Sequence, residues 1–403
     1  MLSGHNSRVS HSDVGLVLTG GGARAAYQVG FLRHVASRYP TFAPGILTGV
    51  SAGGILAMHL ANRRGNFADA VDHLSDLWRG LQMSDVFRVD VADLSARVAR
   101  WGVRLVSGGA QGTPRARSLV DTAPLRDLLV RSLRAEPDGS LPGVARNLTS
   151  GIVRAVALTA SSYSTGQSVT WVQGVDRDRV PPAWERPQHT GLACSLGVDH
   201  IMASTALPFF FPAIEIEGLW YGDGGIRLTA PLSPAVHLGA SKIIAVSTRY
   251  GRSRAEADRP AVLGYPPPAQ VAGVLLNAIF LDLIDTDALR LQQINALLDR
   301  LPPAARDGLR HVDLLVLRPS QDLGRLANEY EINLPRAFRF LVRGLGSRDT
   351  GSNDMLSLMM FQHDYIARLV ELGEQDARAH AAEIDAFLSD EQPAAAPRPA
   401  SAV

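Results

Sequence analysis

A Gly-x-Ser-x-Gly motif directly after a short apolar run constrains the fold of this chain more than any other feature. The run Ile46–Thr48 is typical of a buried strand, Gly49-Val50-Ser51-Ala52-Gly53 overlaps its end, and residues 55–62 have a helical pattern. Strand, sharp turn and helix around such a serine form a nucleophile elbow. Gly49 and Gly53 fit this interpretation, because side chains there would crowd the crossing strand and helix. The motif predicts Ser51 as a nucleophile, although the same pattern also occurs in ordinary turns.

A second unit of strand, glycine turn and helix precedes the serine motif. Val14–Thr19 is a compact apolar run of strand type, Gly20-Gly21-Gly22-Ala23-Arg24 follows directly, and residues 25–39 have an apolar face at helical spacing. Two such units in succession give the order β-α-β-α, which implies a parallel sheet. The sequence therefore predicts an α/β fold.

The glycine loop also raises the alternative of a nucleotide-binding protein. Its spacing, Gly20-x-Gly22-x-x-Ala25, lacks the third glycine of the dinucleotide motif, and no acidic residue ends the second strand to bind a ribose. The chain contains no Gly-Lys-Ser/Thr of a phosphate-binding loop. A formal net charge of +1 is too small for a nucleic-acid binder with a strong overall field. We therefore expect neither a nucleotide cofactor nor a nucleic-acid partner.

Cysteine content and hydropathy exclude further classes of protein. Cys194 is the only cysteine, so neither an intrachain disulfide nor a thiolate metal cluster can form, and we expect no bound metal. Residues 1–13 lack the apolar core of a secretory signal, and no apolar run reaches the ~18–20 residues that span a bilayer. The sequence predicts a cytoplasmic protein with, at most, transient contact with a membrane surface.

Composition divides the chain into four segments. We predict a flexible leader over residues 1–13, a catalytic domain over 14–250, a mostly helical extension that packs on it over 251–390, and a disordered tail rich in Ala and Pro over 391–403.

Within these segments, apolar patterns predict further elements. Residues 67–133 are predicted to be mainly helical, either as core or as a lid over an apolar substrate channel. Val274–Leu301 is predicted as one long amphipathic helix. Further strands are predicted at 152–159, 168–173, 242–247 and 312–317.

A serine hydroxyl needs a base that accepts its proton, and the sequence offers two kinds of candidate. His237 and His311 follow Asp223 and satisfy the order Ser, Asp, His of α/β hydrolases, but Ser51 lies on only the second predicted strand, too early for that fold. Asp223 itself lies in a glycine turn, Gly222-Asp223-Gly224-Gly225. Because a carboxyl group ordinarily has a pKa near 4, direct base action requires its desolvation and an oxyanion site elsewhere.

Together, these motifs resemble those of the patatin-like phospholipase family. The resemblance is carried by Gly20–Arg24, Gly49–Gly53 and Asp223-Gly224-Gly225 in that order, and by Ala-Ser-Thr-Ala-Leu-Pro within Met202–Pro212. It implies a three-layer α/β/α fold with a mainly parallel central sheet, lipid acyl hydrolysis by a Ser–Asp dyad, and no calcium requirement.

The resemblance assigns a role to each matching position. Ser51 takes the role of nucleophile and Asp223 that of base, and the oxyanion hole falls to Gly20, Gly21, Gly22, Ala23 and Arg24. It covers roughly residues 14–247, and residues 311–377 are similar to the C-terminal extension of some bacterial members. Ala25 stands where the family usually has glycine, which we expect to be tolerated if the residue already lies in the helix.

The substrate indicated by this resemblance is a lipid or another acyl ester, and the sequence leaves open phospholipid, lysophospholipid and glyceride. A non-catalytic lipid-binding or regulatory protein on the same scaffold remains the alternative from a different class, and a Ser-His-Asp esterase the alternative mechanism.

Overall fold

The structure is a computed structural model, and it describes residues 13–88, 118–174, 185–186, 188–258, 265–280, 283–331 and 353–389. Residues 1–12 of the predicted leader, residues 89–117 of the predicted lid and the whole predicted tail, 391–403, lie outside these ranges.

The described strands form one mixed sheet. Its order is β10-β9-β1-β2-β3-β4-β6-β5, with β8 paired to β3 and β7 paired to β8. The five strands from β10 to β3 run parallel to one another, whereas β3 pairs antiparallel with both β4 and β8. The strands are β1 (Val14–Leu18), β2 (Ile46–Val50), β3 (Ala155–Ser162), β4 (Ser168–Gly174), β5 (Glu185–Arg186), β6 (His189–Ala193), β7 (Ile214–Ile216), β8 (Leu219–Asp223), β9 (Lys242–Val246) and β10 (Asp313–Leu317).

The helices lie between and after these strands. In chain order, those described are α1 (Ala25–Arg38), α2 (Ala52–Ala61), α3 (Phe67–Gly80), α4 (Met83–Val86), α5 (Ala123–Leu133), α6 (Pro142–Thr149), α7 (Val198–Ser204), α8 (Ser233–His237), α9 (Arg254–Ala257), α10 (Pro268–Phe280), α11 (Leu283–Leu298), α12 (Leu323–Tyr330), α13 (Asp354–Met359), α14 (His363–Ala379) and α15 (Ala381–Leu388).

Alternation along the strands generates three layers. Successive side chains of a strand point to opposite faces of its sheet. In β1, Leu16 and Leu18 join the larger core, whereas Val17 joins the smaller one. The larger core includes residues of α1, α2 and α14, and the smaller core includes residues of α8 and α11. Both faces of the parallel strands are therefore covered, and the predicted α/β/α fold with a mainly parallel sheet is confirmed.

Strand register brings the three sequence motifs to one edge of the sheet. Because β1 and β2 are parallel, the glycine loop and Ser51 both follow carboxyl ends of neighbouring strands. Val50 lies opposite Thr159 of β3, and Asp223 of β8 lies opposite Ala160, the next residue of β3. The antiparallel return of β8 therefore ends beside the serine turn.

The C-terminal region is helical, as predicted, but it also completes the sheet and packs against the first helix. β10 pairs with β9 as an additional parallel strand. Helix α14 crosses α1 so closely that a Cβ at Gly30 would lie 1.9 Å from the Val370 carbonyl oxygen, and one at Gly373 would lie 2.1 Å from that of Tyr27. This contact anchors the helix that directly follows the glycine loop.

The long helix expected over Val274–Leu301 crosses residues 281–282, which lie outside the described residues. On either side of them the structure describes α10 and α11, and α10 already begins at Pro268. The proline fits the first turn of a helix, where its missing N–H has no intrahelical acceptor to lose. None of the described helices is long and apolar enough to cross a membrane.

Candidate active site

Ser51 occupies a strained turn between β2 and α2. Its φ of 54° and ψ of −131° lie outside the regions that residues with a side chain ordinarily adopt. A Cβ at Gly49 would lie 2.5 Å from the Gly53 carbonyl oxygen, and one at Gly53 would lie 2.2 Å from that of Leu18. Both positions therefore require glycine. The structure places Ser51 at the tip of a turn with the geometry of a nucleophile elbow.

A buried serine that the sequence did not single out holds this turn. The N–H of Ser51 donates to Ser204 Oγ at 3.0 Å, and Ser204 Oγ donates to the Thr159 carbonyl at 2.7 Å. Ser204 is fully buried at the end of α7, within the Ala-Ser-Thr-Ala-Leu-Pro stretch. The bond satisfies a donor of the strained residue and ties the turn to β3. It also means that the Ser51 N–H is already engaged within the protein.

The glycine loop lies directly beside the serine. A Cβ at Gly20 would lie 3.2 Å from Ser51 Cβ, and one at Gly22 would lie 2.1 Å from the Leu358 carbonyl oxygen. Gly21 and Gly22 both have positive φ, 146° and 54°. The loop is fixed from behind by Thr248, whose hydroxyl donates to the Gly20 carbonyl at 2.7 Å. Only glycine allows this combination of backbone angles and close approach.

Some backbone N–H groups of the glycine loop are hydrogen-bonded within the protein and others are not. The Arg24 N–H closes a turn to the Gly21 carbonyl at 3.0 Å. The N–H groups of Gly22 and Ala23 have no acceptor among the described residues. They begin a short 3₁₀ segment that continues into α1, so the positive end of the helix dipole lies at the same place. Ala25 has a helical φ of −62°, as expected for an alanine that already lies in the helix.

The side chain of Arg24 is directed to the C-terminal region. It is 3% exposed, donates from Nε to Ser357 Oγ at 2.6 Å, and forms an ion pair from Nη2 to Asp354 Oδ1 at 2.6 Å. Asn277 of α10 binds the other oxygen of Asp354 at 2.6 Å. The expectation that Arg24 adds its charge to an oxyanion is therefore corrected, because this charge is paired with Asp354 behind the loop.

Asp223 is fully buried at the end of β8. Its N–H donates to the Ala206 carbonyl at 2.8 Å, and its Oδ1 accepts the Gly225 N–H at 2.9 Å. Oδ2 is buried and has no hydrogen bond of ordinary geometry within the described part of the chain. A Cβ at Gly224 would lie 2.1 Å from the Thr159 carbonyl oxygen, so this turn also depends on glycine.

Burial raises the pKa of Asp223 to about 7, while interactions with the Ser51 hydroxyl and the Gly225 N–H oppose the increase. The Asp223 turn lies against the residue before Ser51, since a Cβ at Gly224 would lie 2.7 Å from Val50 Cγ2, although Oδ2 has no hydrogen-bond partner among the described residues. A carboxyl group in this state is a much stronger base than an exposed aspartate.

The two candidate histidines are not at this site. His311 binds Asp299 at 3.0 Å and Asp313 at 3.2 Å, and Asp313 begins β10, at the edge of the sheet opposite to Ser51. His237 ends α8, five residues before β9 begins, and therefore lies at the same opposite edge. No histidine is among the described residues that line the cavity beside Ser51. The geometry therefore gives no support to a Ser-His-Asp triad.

A narrow apolar cavity of about 50 Å³ opens beside Ser51. Its walls come from α2 to α5, from the segment after α7, and from the C-terminal residues Leu358, Met359 and Phe361. The apolar lining consists of Ala52, Ile55, Leu77, Trp78, Leu81, Val86, Leu125, Leu128, Leu129, Leu207, Phe211, Leu358, Met359 and Phe361. In the sequence, the contribution of the C-terminal residues to this cavity is indicated only by the mostly apolar segment 355–361. That segment does not show which surface it packs against.

One protein-family model and several solved structures are similar to this chain. The model of the family described as "Patatin-like phospholipase" matches residues 16–236, which is more than half of the chain. None of the curated proteins matches the sequence.

Several solved structures are similar over most of this chain. VipD from Legionella pneumophila is 12% identical with a TM-score of 0.39, and covers 92% of this chain and 67% of its own. Human GIVD cytosolic phospholipase A2 is 12% identical with a TM-score of 0.46, covering 93% and 59%. The type III effector ExoU is 13% identical with a TM-score of 0.37, covering 92% and 52%. This chain thus spans between about half and two thirds of their lengths.

The Arg24–Asp354 pair yields a first prediction. Asp354→Asn leaves a buried guanidinium without its counterion, which should lower the free energy of unfolding by about 3–5 kcal/mol and disturb the glycine loop. We expect chemical denaturation to show this decrease as a lower midpoint of unfolding.

The matched control is Asp385→Asn, which also breaks an ion pair between the C-terminal region and α1, to Arg38, but at an exposed position. Its unfolding free energy should stay close to that of wild type, because the pair is exposed to solvent. Equal destabilisation by the two substitutions would contradict a structural role for the buried pair.

The raised pKa of Asp223 yields a second prediction. The folded state holds the proton up to about pH 7, whereas the unfolded chain releases it near pH 4, so wild type loses stability as the pH rises between these values. Asp223→Asn cannot ionise, so its stability should not fall in this range. The unfolding free energy of the variant minus that of wild type should therefore increase by on the order of 2–4 kcal/mol from pH 5 to pH 8.

Thermal denaturation at both pH values measures this difference, with Asp258→Asn as an exposed control. A stability difference between Asp223→Asn and wild type that is the same at pH 5 and pH 8 would show that Asp223 is not protonated in the fold.

Proposed function

Because the chain belongs to the patatin-like phospholipase family, we propose that it hydrolyses lipid acyl esters with Ser51 as nucleophile and Asp223 as base. The observation that carries the proposal is the juxtaposition of a strained serine, a fully buried carboxyl group with one unbonded oxygen, and a glycine loop with two N–H groups free of described acceptors. Nucleophile, base and oxyanion donors are the parts that acyl transfer requires.

In the first half-reaction, Asp223 Oδ2 takes the proton of Ser51 Oγ while that oxygen attacks the ester carbonyl carbon. The oxyanion of the tetrahedral intermediate is then placed against the N–H groups of Gly22 and Ala23, at the positive end of α1. When the intermediate collapses, the carbon–oxygen bond to the alcohol breaks, and Asp223 returns its proton to the departing alcohol. An acyl group remains on Ser51.

In the second half-reaction, Asp223 accepts a proton from water, which attacks the acyl carbon. The second intermediate collapses with release of the carboxylic acid, and Ser51 Oγ recovers a proton from Asp223. The pKa near 7 suits both directions of transfer, since a general base works best when its pKa is near the pH at which it operates.

The cavity supports a lipid as the source of the acyl group. Its lining is almost entirely aliphatic and aromatic, so an acyl chain there would leave water and gain about 0.8 kcal/mol per buried CH₂. Leu358 and Phe361 lie outside the matched family model and still line this space. We therefore assign the C-terminal region a share in acyl-chain binding.

A panel of lipids tests the proposal. Wild type should release fatty acid from phospholipid, lysophospholipid or glyceride, and longer acyl chains should be hydrolysed with higher kcat/KM than acetyl esters. We expect Ser51→Ala to remove hydrolysis and Asp223→Asn to lower kcat/KM roughly 10²–10⁴-fold, the range for loss of a general base. Fatty-acid release measured by mass spectrometry provides the readout.

The control for the nucleophile is Ser150→Ala at an exposed serine after α6, which should keep wild-type activity. Thermal denaturation should find all variants folded. No release from any lipid by folded wild type would favour a non-catalytic lipid-binding protein, and full activity of Asp223→Asn would overturn the dyad.

A further inference from the structure

A second cavity, of about 180 Å³, has four arginines and two histidines among the described residues that line it. Its buried floor includes His59 and Arg63, and its rim includes the exposed residues Arg64, Arg134 and Arg146. Among the described residues, Ser132 of α5 alone lines both this cavity and the apolar cavity beside Ser51. The basic cavity therefore adjoins the wall of the apolar one but shares none of the residues assigned to catalysis.

Arg63 at the floor is a buried cation without a counterion. It is 4% exposed, and its Nη1 and Nη2 donate to the carbonyls of Leu60 and Ile152 at 2.9 and 3.3 Å. Its Nε is buried and has no hydrogen-bond partner in the described part of the chain, nor does any described carboxylate form an ion pair with it. Burial lowers the pKa of Arg63 to about 10, so it remains charged at neutral pH.

This arrangement is costly unless something else compensates the charge. Two carbonyl oxygens satisfy donors and Arg63 Cζ lies 6.0 Å from the centroid of the Phe67 ring, but none of these groups carries a negative charge, so burial of the cation destabilises the fold. An anion bound in the cavity that Arg63 lines would supply the missing counter-charge.

The remaining lining keeps the cavity positive. Arg64 and Arg134 make no ion pair with any described residue, and Arg146 donates only to the Arg63 carbonyl at 3.1 Å. The single carboxylate of the lining, Asp69, accepts the N–H of Asn66 at the start of α3. Four arginines therefore face one acidic side chain.

Two histidines, His59 and His73, line this cavity but are not the source of its positive charge. His59 and His73 stack with ring centroids 5.1 Å apart, and His59 Nε2 lies 3.2 Å from His73 Nδ1. Burial, together with the nearby His73, lowers the pKa of His59 to about 4, so this imidazole is neutral at pH 7. The positive charge that an anion would meet thus comes from the arginines.

We propose that this cavity is a binding site for a phosphate group, with Arg63 at its floor and Arg64 and Arg134 closing over it from the rim. A guanidinium group can donate two hydrogen bonds to two oxygens of one phosphate. A site with several arginines favours a doubly charged phosphate over a singly charged carboxylate ligand. The phosphate can be free or can be the phosphomonoester head group of a lipid. The site does not depend on hydrolysis at Ser51.

The experiment compares two double variants that lose the same charge. Arg64→Gln with Arg134→Gln removes the rim of the site, and Arg131→Gln with Arg290→Gln removes two exposed arginines outside it. Binding of inorganic phosphate is measured by calorimetry and by the shift of the thermal midpoint at constant ionic strength. We expect the rim variant to bind phosphate about tenfold more weakly than wild type, and the control to bind like wild type.

A vesicle arm distinguishes the source of the phosphate. The Ser51→Ala protein, with and without the rim substitutions, is sedimented with phosphatidylcholine vesicles that contain or lack phosphatidic acid. Binding of free phosphate that depends on Arg64 and Arg134 supports a soluble ion as ligand, and the same dependence confined to phosphatidic-acid vesicles supports a head group.

Two outcomes would overturn the site: no binding in either arm, or equal weakening in the rim variant and the control, which would reveal a general charge effect. Since the substituted residues are exposed, the thermal midpoint without phosphate should be unchanged in both variants. If the double rim variant unfolds early, Arg64→Gln alone must still weaken binding. None of these experiments measures hydrolysis. A result that excludes phosphate binding would therefore leave the proposed hydrolase function unaffected.

Discussion

The close approach of three backbone turns is the constraint on which the candidate active site depends. At Gly49, Gly53 and Gly224, an added Cβ would lie 2.1–2.5 Å from a carbonyl oxygen. Ser51 is left in a strained conformation at the centre of these contacts, where Ser204 and the parallel strands restrain it. Strain of this kind persists only when the surrounding structure fixes it from several sides. As a result, the Ser51 hydroxyl group is held between a buried carboxyl group and a helix N-terminus.

Desolvation links this packing to chemistry. The same glycine contacts that exclude side chains also exclude water from Asp223, and the loss of hydration raises the pKa of its carboxyl group. Burying Asp223 therefore costs stability near neutral pH, and under the proposed mechanism the raised pKa makes proton transfer from Ser51 easier. The C-terminal region takes part in the same compromise, because Arg24 and Asp354 place a second pair of charges in the interior directly behind the glycine loop.

Sequence predicted those parts of the molecule whose constraints are local. Short apolar runs indicated the central strands, and the glycines around Ser51 and Asp223 are required by contacts within a few residues or between adjacent strands. The roles of Ser204, Asp354 and Phe361 depend instead on contacts across 150 residues or more. An apolar run such as 355–361 indicates that a face is buried, but it does not identify the surface that covers it. The charge of Arg24 was misplaced for the same reason, since its partner lies 330 positions away.

The central claim is that Asp223 activates Ser51, and covalent labelling with a fluorophosphonate tests it most directly. Attack by Ser51 Oγ forms an oxygen–phosphorus bond and expels fluoride, so the modified residue and its rate of formation can both be followed by peptide mass spectrometry. The account predicts labelling at Ser51 alone, at a rate that rises with pH through about 7 and falls at least about 100-fold in Asp223→Asn. Labelling at another residue, or labelling of Ser51 at the wild-type rate in Asp223→Asn, would contradict it.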